Sequence, residues 1–133
     1  MRVADVMQRN LRVIRGTDTV GDAITLLAEN HVSGVPVVDD HGRLVGVLSS
    51  SDILETLAEH AEPAEREQIF DETLVSEIMT PRPQTIGSTA ALRDAAQRML
   101  YLEVHRLFVE DEGKLVGVVS TTDLVRAMAG QKV

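Results

Sequence analysis

Apolar and polar positions along this chain follow two periods, and the order in which those periods occur is written twice. Val35–Val38 and Leu44–Leu48 are short apolar runs joined by Asp39-Asp40-His41-Gly42, the pattern of a β-hairpin. Ahead of them, Val13-Ile14 is a short extended piece. The turn Arg15-Gly16-Thr17-Asp18 follows, and supplies a helix N-cap at Thr17 or Asp18. Val20, Ala23, Ile24, Leu27 and Ala28 then keep the spacing of a helix with one buried face, closing near Asn30-His31. After the hairpin a second helix starts near Ser51 and carries Ile53, Leu54, Leu57 and Ala58. The predicted order is strand, helix, strand, strand, helix.

The same order returns downstream. Thr85-Ile86 is the extended piece, Ser88 or Thr89 the cap, and Leu92, Ala95, Ala96, Met99 and Leu100 the helical stripe. Leu107–Val109 and Leu115–Val119 form the hairpin, and a last helix runs from Asp123 to Met128. Val3-Ala4-Asp5-Val6-Met7 reappears as Val75-Ser76-Glu77-Ile78-Met79, and Leu44-Val45-Gly46-Val47-Leu48-Ser49 as Leu115-Val116-Gly117-Val118-Val119-Ser120. The chain thus reads as two repeats of roughly 55–60 residues, 1–58 and 75–133. Met7 and Met79 read as core plugs at the start of each. The acidic stretch 59–74, with Pro63, reads as a solvated connector: a frayed helix end, a break and one further helical turn. One repeat has too little apolar surface for a core of its own. The expected fold is α/β (α+β), two β-α-β-β-α repeats packed sheet to sheet with pseudo-two-fold symmetry and a cleft on each side of the seam.

Composition narrows the function. A net charge of −8 with no Trp, one Tyr and two Phe argues against a nucleic-acid binder. No apolar run approaches a membrane span, and the N-terminus lacks the apolar run of a signal peptide, so a cytoplasmic protein with no membrane contact is expected. Without cysteine there is no disulfide, thiol nucleophile or thiolate metal site, and His31 and His41 have no metal-ligand spacing. No Ser-His-acid set, Gly-x-Ser-x-Gly elbow or lysine-bearing phosphate loop is present, so no enzyme activity is expected. The polar groups that stand out are Ser49-Ser50-Ser51-Asp52 and Ser120-Thr121-Thr122-Asp123, each where a strand enters a helix. Asp52 and Asp123 can be helix caps, or they can face a small polar ligand.

Val-x-Asp-Val-Met, Val-Ser-Gly-Val-Pro-Val-Val-Asp and Leu-Val-Gly-Val-Leu-Ser-x-x-Asp, in that order and largely repeated, resemble a pair of cystathionine-β-synthase-type (CBS) repeats, a Bateman module. The resemblance covers nearly the whole chain. It implies a regulatory module for adenine nucleotides (AMP, ADP or ATP), with S-adenosylmethionine a known variant, and no obligatory cofactor. It implies that Asp52 and Asp123 hold ribose hydroxyls and that Ser49 and Ser120 face ribose or phosphate. Gly34, Val35 and Pro36, with Ile14, would wall the base pocket of the first repeat, and Ile86 and Leu107 that of the second. Where many members carry Arg or Lys between the Ser and the Asp, this chain has Ser50 and Ser51, and Ser51 and Thr122 are left as hydroxyl donors to phosphate. His105-Arg106 replaces Ser33-Gly34 in the second repeat and resembles a basic pair that points at phosphates, although it can also be an exposed pair at a strand edge. Arg15 is a further phosphate candidate, and Phe108 in place of Pro puts the local strand geometry in question. The resemblance also implies a homodimer built through the helices, and an effector protein that responds to it. The alternatives are a protein-interaction or dimerisation module with vestigial pockets, and a regulatory piece of a larger enzyme or transporter. The two repeats differ in charge and in wall residues, so unequal occupancy is expected.

Overall fold

Residues 1–60 and 62–130 are described by a computed structural model. Position 61 of the connector and positions 131–133 at the end of the second repeat lie outside the described residues. A 3₁₀ turn at Val3–Asp5 precedes β1 (Ile14–Arg15), α1 (Val20–Asn30), β2 (Gly34–Val38), β3 (Leu44–Ser49) and α2 (Ser50–Ala58). Then come α3 (Pro63–Glu72), α4 (Val75–Ile78) and β4 (Thr80–Pro81). The repeated order follows as β5 (Thr85–Ile86), α5 (Leu92–Leu102), β6 (Arg106–Asp111), β7 (Lys114–Ser120) and α6 (Thr121–Gly130). The mixed α+β class and the repeated element order agree with the sequence pattern.

The helix starts differ from expectation. Thr19, not Thr17 or Asp18, caps α1: its hydroxyl accepts from the Asp22 N–H at 3.1 Å, and Asp22 accepts from the Thr19 N–H at 3.2 Å. Asp18 is occupied one turn earlier, accepting from the Arg15 N–H at 2.9 Å. α5 starts after Ala91, which offers no side-chain cap, because Ser88 is bonded through both its N–H and its hydroxyl to Asp111. α1 and α5 both end on a left-handed residue, His31 and Glu103. The shorter hairpin turn puts Glu112 and Gly113 at φ 52° and 82°, the two positive values that a two-residue turn of matching twist requires.

The chain divides into two compact units whose membership departs from the linear order of the repeats. One contains Arg12–Pro83, the other Met1–Leu11 together with the chain from Gln84 onward. In the first unit the sheet order is β1-β2-β3-β4, with β1 parallel to β2 and the remaining pairs antiparallel. The core of this unit gathers Ile14, Val20, Leu27, Val37, Leu48 and Val75. In the second unit the sheet is β5-β6-β7, and Val3, Leu92, Met99, Leu107, Val109 and Leu124 are among its buried residues.

The repeated Val-x-x-x-Met segments are therefore exchanged. Val75–Pro81 docks into the first unit: the Val75 and Ser76 N–H groups donate to Asp18 and Gly16 carbonyls at 2.8 and 3.0 Å, and β4 pairs with β3. Val3–Gln8 docks into the second unit: Val3 and Ala4 N–H groups donate to Ala90 and Ser88 carbonyls at 2.8 and 2.9 Å, and Gln8 exchanges two backbone bonds with Val118. Met7 and Met79 are plugs, as expected, but each plugs the unit built on the other repeat's strands. The glycine of each Leu-Val-Gly-Val strand makes room for this passage. A methyl at Gly46 would stand 2.9 Å from the Thr80 carbonyl oxygen, and one at Gly117 would stand 2.8 Å from that of Gln8.

The acidic connector is more ordered than its charge suggested. α3 is a ten-residue helix with Pro63 at its first turn, packed on α1, and it buries Ile69 in the first unit's core with Phe70 against it. Two adjacent apolar residues in a polar helix leave no periodic stripe to detect, which is why the pattern read as solvated.

Two outcomes follow. Gly46→Ala and Gly117→Ala should each destabilise the protein by about 1–3 kcal/mol in urea unfolding, because the obstruction includes a backbone oxygen that no rotamer change removes. Hydrogen bonds from the Ser88 hydroxyl and N–H hold the Asp111 carboxyl below its usual range. A lowered folded pKa contributes stability above the unfolded value that is lost as pH falls through the folded one. Ser88→Ala should move the Asp111 titration upward by NMR and cost stability at neutral pH, with the cost disappearing in acid.

Candidate functional site

Each hairpin ends at the same kind of junction. β3 enters α2 at Ser49-Ser50 and β7 enters α6 at Ser120-Thr121. At the first junction the Asp52 N–H donates to the Ser49 hydroxyl at 3.2 Å. Asp52 Oδ2 accepts from the Ser49 N–H at 2.9 Å and from its hydroxyl at 3.0 Å. At the second, the Asp123 N–H donates to the Ser120 hydroxyl at 3.1 Å and Asp123 Oδ2 accepts from the Ser120 N–H at 2.9 Å. These are reciprocal caps, worth about 1 kcal/mol each, so capping is an observed role of both aspartates.

The cap uses one carboxylate oxygen and leaves the other. Asp52 Oδ1 accepts from the Thr80 hydroxyl at 3.1 Å. Asp123 Oδ1 accepts from the Gln8 amide at 3.4 Å, with the Arg126 guanidinium at 3.9 Å. Thr80 and Gln8 directly follow Met79 and Met7, so the exchanged segments deliver one polar side chain to each acid. Sequence reasoning missed both. Their matching places in the repeated motif were visible, but the exchange that carries them to the acids was not. Arg126 was also missed, although its place three residues after Asp123 in a predicted helix was legible.

The strands beside the junctions sort the remaining candidates. Gly34 lies opposite Ser49, and Arg106 opposite Ser120. β1 pairs only with Val37 and Val38, so β2 from Gly34 to Pro36 keeps an unpaired edge on that side, where a proline lacking N–H fits. In the second unit the Phe108 N–H donates to the Gln84 carbonyl at 3.3 Å, and parallel pairing starts one residue earlier, at Thr85–Phe108. Replacing Pro by Phe thus extends the strand rather than disrupting it. Alternation turns Val35, Val37, Leu107 and Val109 into their units' cores, leaving Gly34, Pro36, Arg106 and Phe108 on the opposite face.

Ile14 is likewise buried in the core and Ile86 packs against its own, so for Ile14, Val35 and Leu107 only the backbone is left to meet a ligand. Ser51 and Thr122 are exposed in the first turns of α2 and α6. The Ser50 and Thr121 N–H groups donate to the Ser33 and His105 carbonyls at 2.8 and 2.9 Å, fixing each strand end to its helix. His105 and Arg106 part company. His105 lines an apolar groove of about 470 Å³ between α5 and α6, whereas Arg106 is exposed at the strand end beside Ser120. Arg15 is tied to Asp40 at 2.9 Å on the surface. Among the described residues, no group of three or more His, Asp or Glu is placed to hold a metal ion, and no helix is long and apolar enough to cross a membrane.

What the arrangement offers, twice, is a carboxylate oxygen beside a hydroxyl or amide, at a helix start with exposed hydroxyls, next to an open strand end. That suits a polyhydroxylated ligand with a flat apolar part.

The CBS domain profile matches residues 3–59 and 75–130. The Arabidopsis thaliana chloroplastic protein CBSX1 is 31% identical over 90% of this chain, which spans 60% of that relative's length. The structure of CBSX2 in complex with AMP superposes with a TM-score of 0.81 at 35% identity, over 99% of this chain and 98% of that one. CBSX2 too is from Arabidopsis thaliana. Inosine-5'-monophosphate dehydrogenase of Methanocaldococcus jannaschii is 27% identical over 92% of this chain, but only 22% of the enzyme is covered. The repeats, the junction motifs and the fold have one explanation: the chain belongs to the CBS domain family and is a tandem pair of CBS domains.

Proposed function

We propose that this protein is a non-catalytic regulatory module that binds an adenine nucleotide (AMP, ADP or ATP) through Asp52, Asp123 or both. The observation that carries the reading is the doubled junction, at which a capped aspartate keeps one oxygen toward a polar side chain, taken with a 35%-identical structure in complex with AMP. A ribose cis-diol would give one hydrogen bond to Oδ1 and share the other hydroxyl with Thr80 or Gln8. The base would lie along the open end of β2 or β6, where backbone groups of Val35 or Leu107 read its edge. Ser51 and Thr122, with Arg106 in the second unit, would meet the phosphate.

A catalytic role finds no support in this constellation, and the match to the dehydrogenase is confined to about a fifth of that enzyme. The cytoplasmic setting expected from the sequence belongs to this proposal, beside relatives named as chloroplastic.

A second reading, that the module associates with itself or a partner, is favoured by the apolar groove between α5 and α6. Leu100, Tyr101 and Val125 on these helices are 79%, 87% and 66% exposed. The first unit has a comparable groove between α1 and α2, lined by Leu27, Ile53, Leu57 and Phe70. Like grooves on both repeats suit a symmetric homodimer.

Calorimetric titration with AMP, ADP, ATP and NADH should give saturable heat for at least one adenine nucleotide, and Asp52→Ala together with Asp123→Ala should abolish it. Absence of heat and of any thermal shift with every nucleotide, in folded protein, would overturn the binding reading. Light scattering should show a dimer that Leu100→Glu combined with Val125→Glu converts to monomer without loss of helicity. Scattering from a monomer in the unmodified chain would end the homodimer reading.

A further inference from the structure

The two junctions share the same reciprocal Ser–Asp bonds and differ in charge. Three residues after Asp52, one helical turn on, stands Glu55; three after Asp123 stands Arg126, with its guanidinium 3.9 Å from Asp123 Oδ1. Opposite Ser49 in the hairpin is Gly34, and opposite Ser120 is the exposed Arg106. The group that donates to the carboxylate oxygen not used in capping is the Thr80 hydroxyl in one case and the Gln8 amide in the other. The first junction thus presents two carboxylates and no cation among these positions. Arg15 lies beside Val38, at the other end of β2 from the junction, and is engaged with Asp40. The second presents one carboxylate and two guanidinium groups.

We infer that the two sites take adenosine ligands of different charge: an adenosine phosphate at Asp123, and a phosphate-free adenosine derivative, neutral or cationic, at Asp52. The inference rests on the adenosine-binding reading above and adds which ligand class each site accepts. A phosphate at the second site meets Arg106 and Arg126, whose planar donor forks match its oxygens. When a ribose hydroxyl takes Asp123 Oδ1, Arg126 is released from that carboxylate and turns to the phosphate. At the first site the same phosphate would face Asp52 and Glu55. The α2 N-terminus and the hydroxyls of Ser50 and Ser51 offset only part of that repulsion. A thioether or sulfonium on the 5′-carbon has no such penalty, and a positive charge there is attracted by Glu55.

The test uses the full chain, titrated by calorimetry with AMP, 5′-methylthioadenosine and S-adenosylmethionine. Glu55 and Arg126 are exposed, so Glu55→Arg and Arg126→Glu should fold. The expected result is one AMP site, weakened about tenfold or more by Arg126→Glu and lost in Asp123→Ala, with the loss diminishing at high salt. The phosphate-free ligands should occupy one site that is lost in Asp52→Ala and indifferent to Arg126→Glu, and Glu55→Arg should create a second AMP site. Equal AMP affinity in Arg126→Glu, or AMP binding lost in Asp52→Ala and kept in Asp123→Ala, would overturn the charge assignment while leaving adenosine binding intact. No heat with any of the three ligands would overturn both.

Discussion

Everything in this molecule depends on the passage of two short segments, Val3–Gln8 and Val75–Pro81, across the glycine of a neighbouring strand. Gly46 and Gly117 have no side chain where the Thr80 and Gln8 carbonyls come close, so Met79 and Met7 reach apolar contact and the backbone adds an antiparallel bond pair beside each hairpin. Each unit's core is closed by residues from a distant part of the chain: Val75 in the first, Val3 and Met7 in the second. A repeat of this size buries too little apolar area to stand alone, and the exchange is how each unit is completed.

The same passage builds the candidate site. Capping commits Oδ2 of Asp52 and Asp123 to the helix start, which is a folding requirement, and the exchanged segment supplies the partner of Oδ1, which is a binding opportunity. Capping and the ligand recognition proposed for the aspartate are therefore compatible, because they draw on different oxygens. A ligand that draws on Thr80 or Gln8 acts on a segment continuous with the next element of the chain, β5 after Thr80 and β1 after Gln8. A bound ligand could shift a conformational equilibrium through that continuity, by as much as its affinity differs between the two states.

The repeats diverged where divergence costs the fold least. Pro36 and Phe108 both serve a strand whose outer edge is only partly paired, one by lacking the N–H and the other by using it to gain a bond to Gln84. Glu55 and Arg126 occupy matching exposed helical turns where either charge is compatible with packing, so the two junctions differ in charge without change to the cores.

Much of this was legible in one dimension. The hairpins, the helical stripes, the doubled order, the Ser-x-x-Asp junctions and the family follow from local patterns, because periodicity and turn chemistry act over a few residues. The N-cap at Thr19 was missed by one or two positions because three successive polar residues compete for it, and only the Arg15 N–H, by claiming Asp18, decides among them. α3 was missed because its packing rests on Ile69 and Phe70 alone. That the side chains of Ile14, Val35 and Leu107 are buried in the cores, that His105 and Arg106 lie on different surfaces, and that Thr80 and Gln8 meet the aspartates are long-range facts. They were decided by which segment docks on which sheet, and a linear repeat cannot state that, because either pairing of identical motifs satisfies the same local pattern.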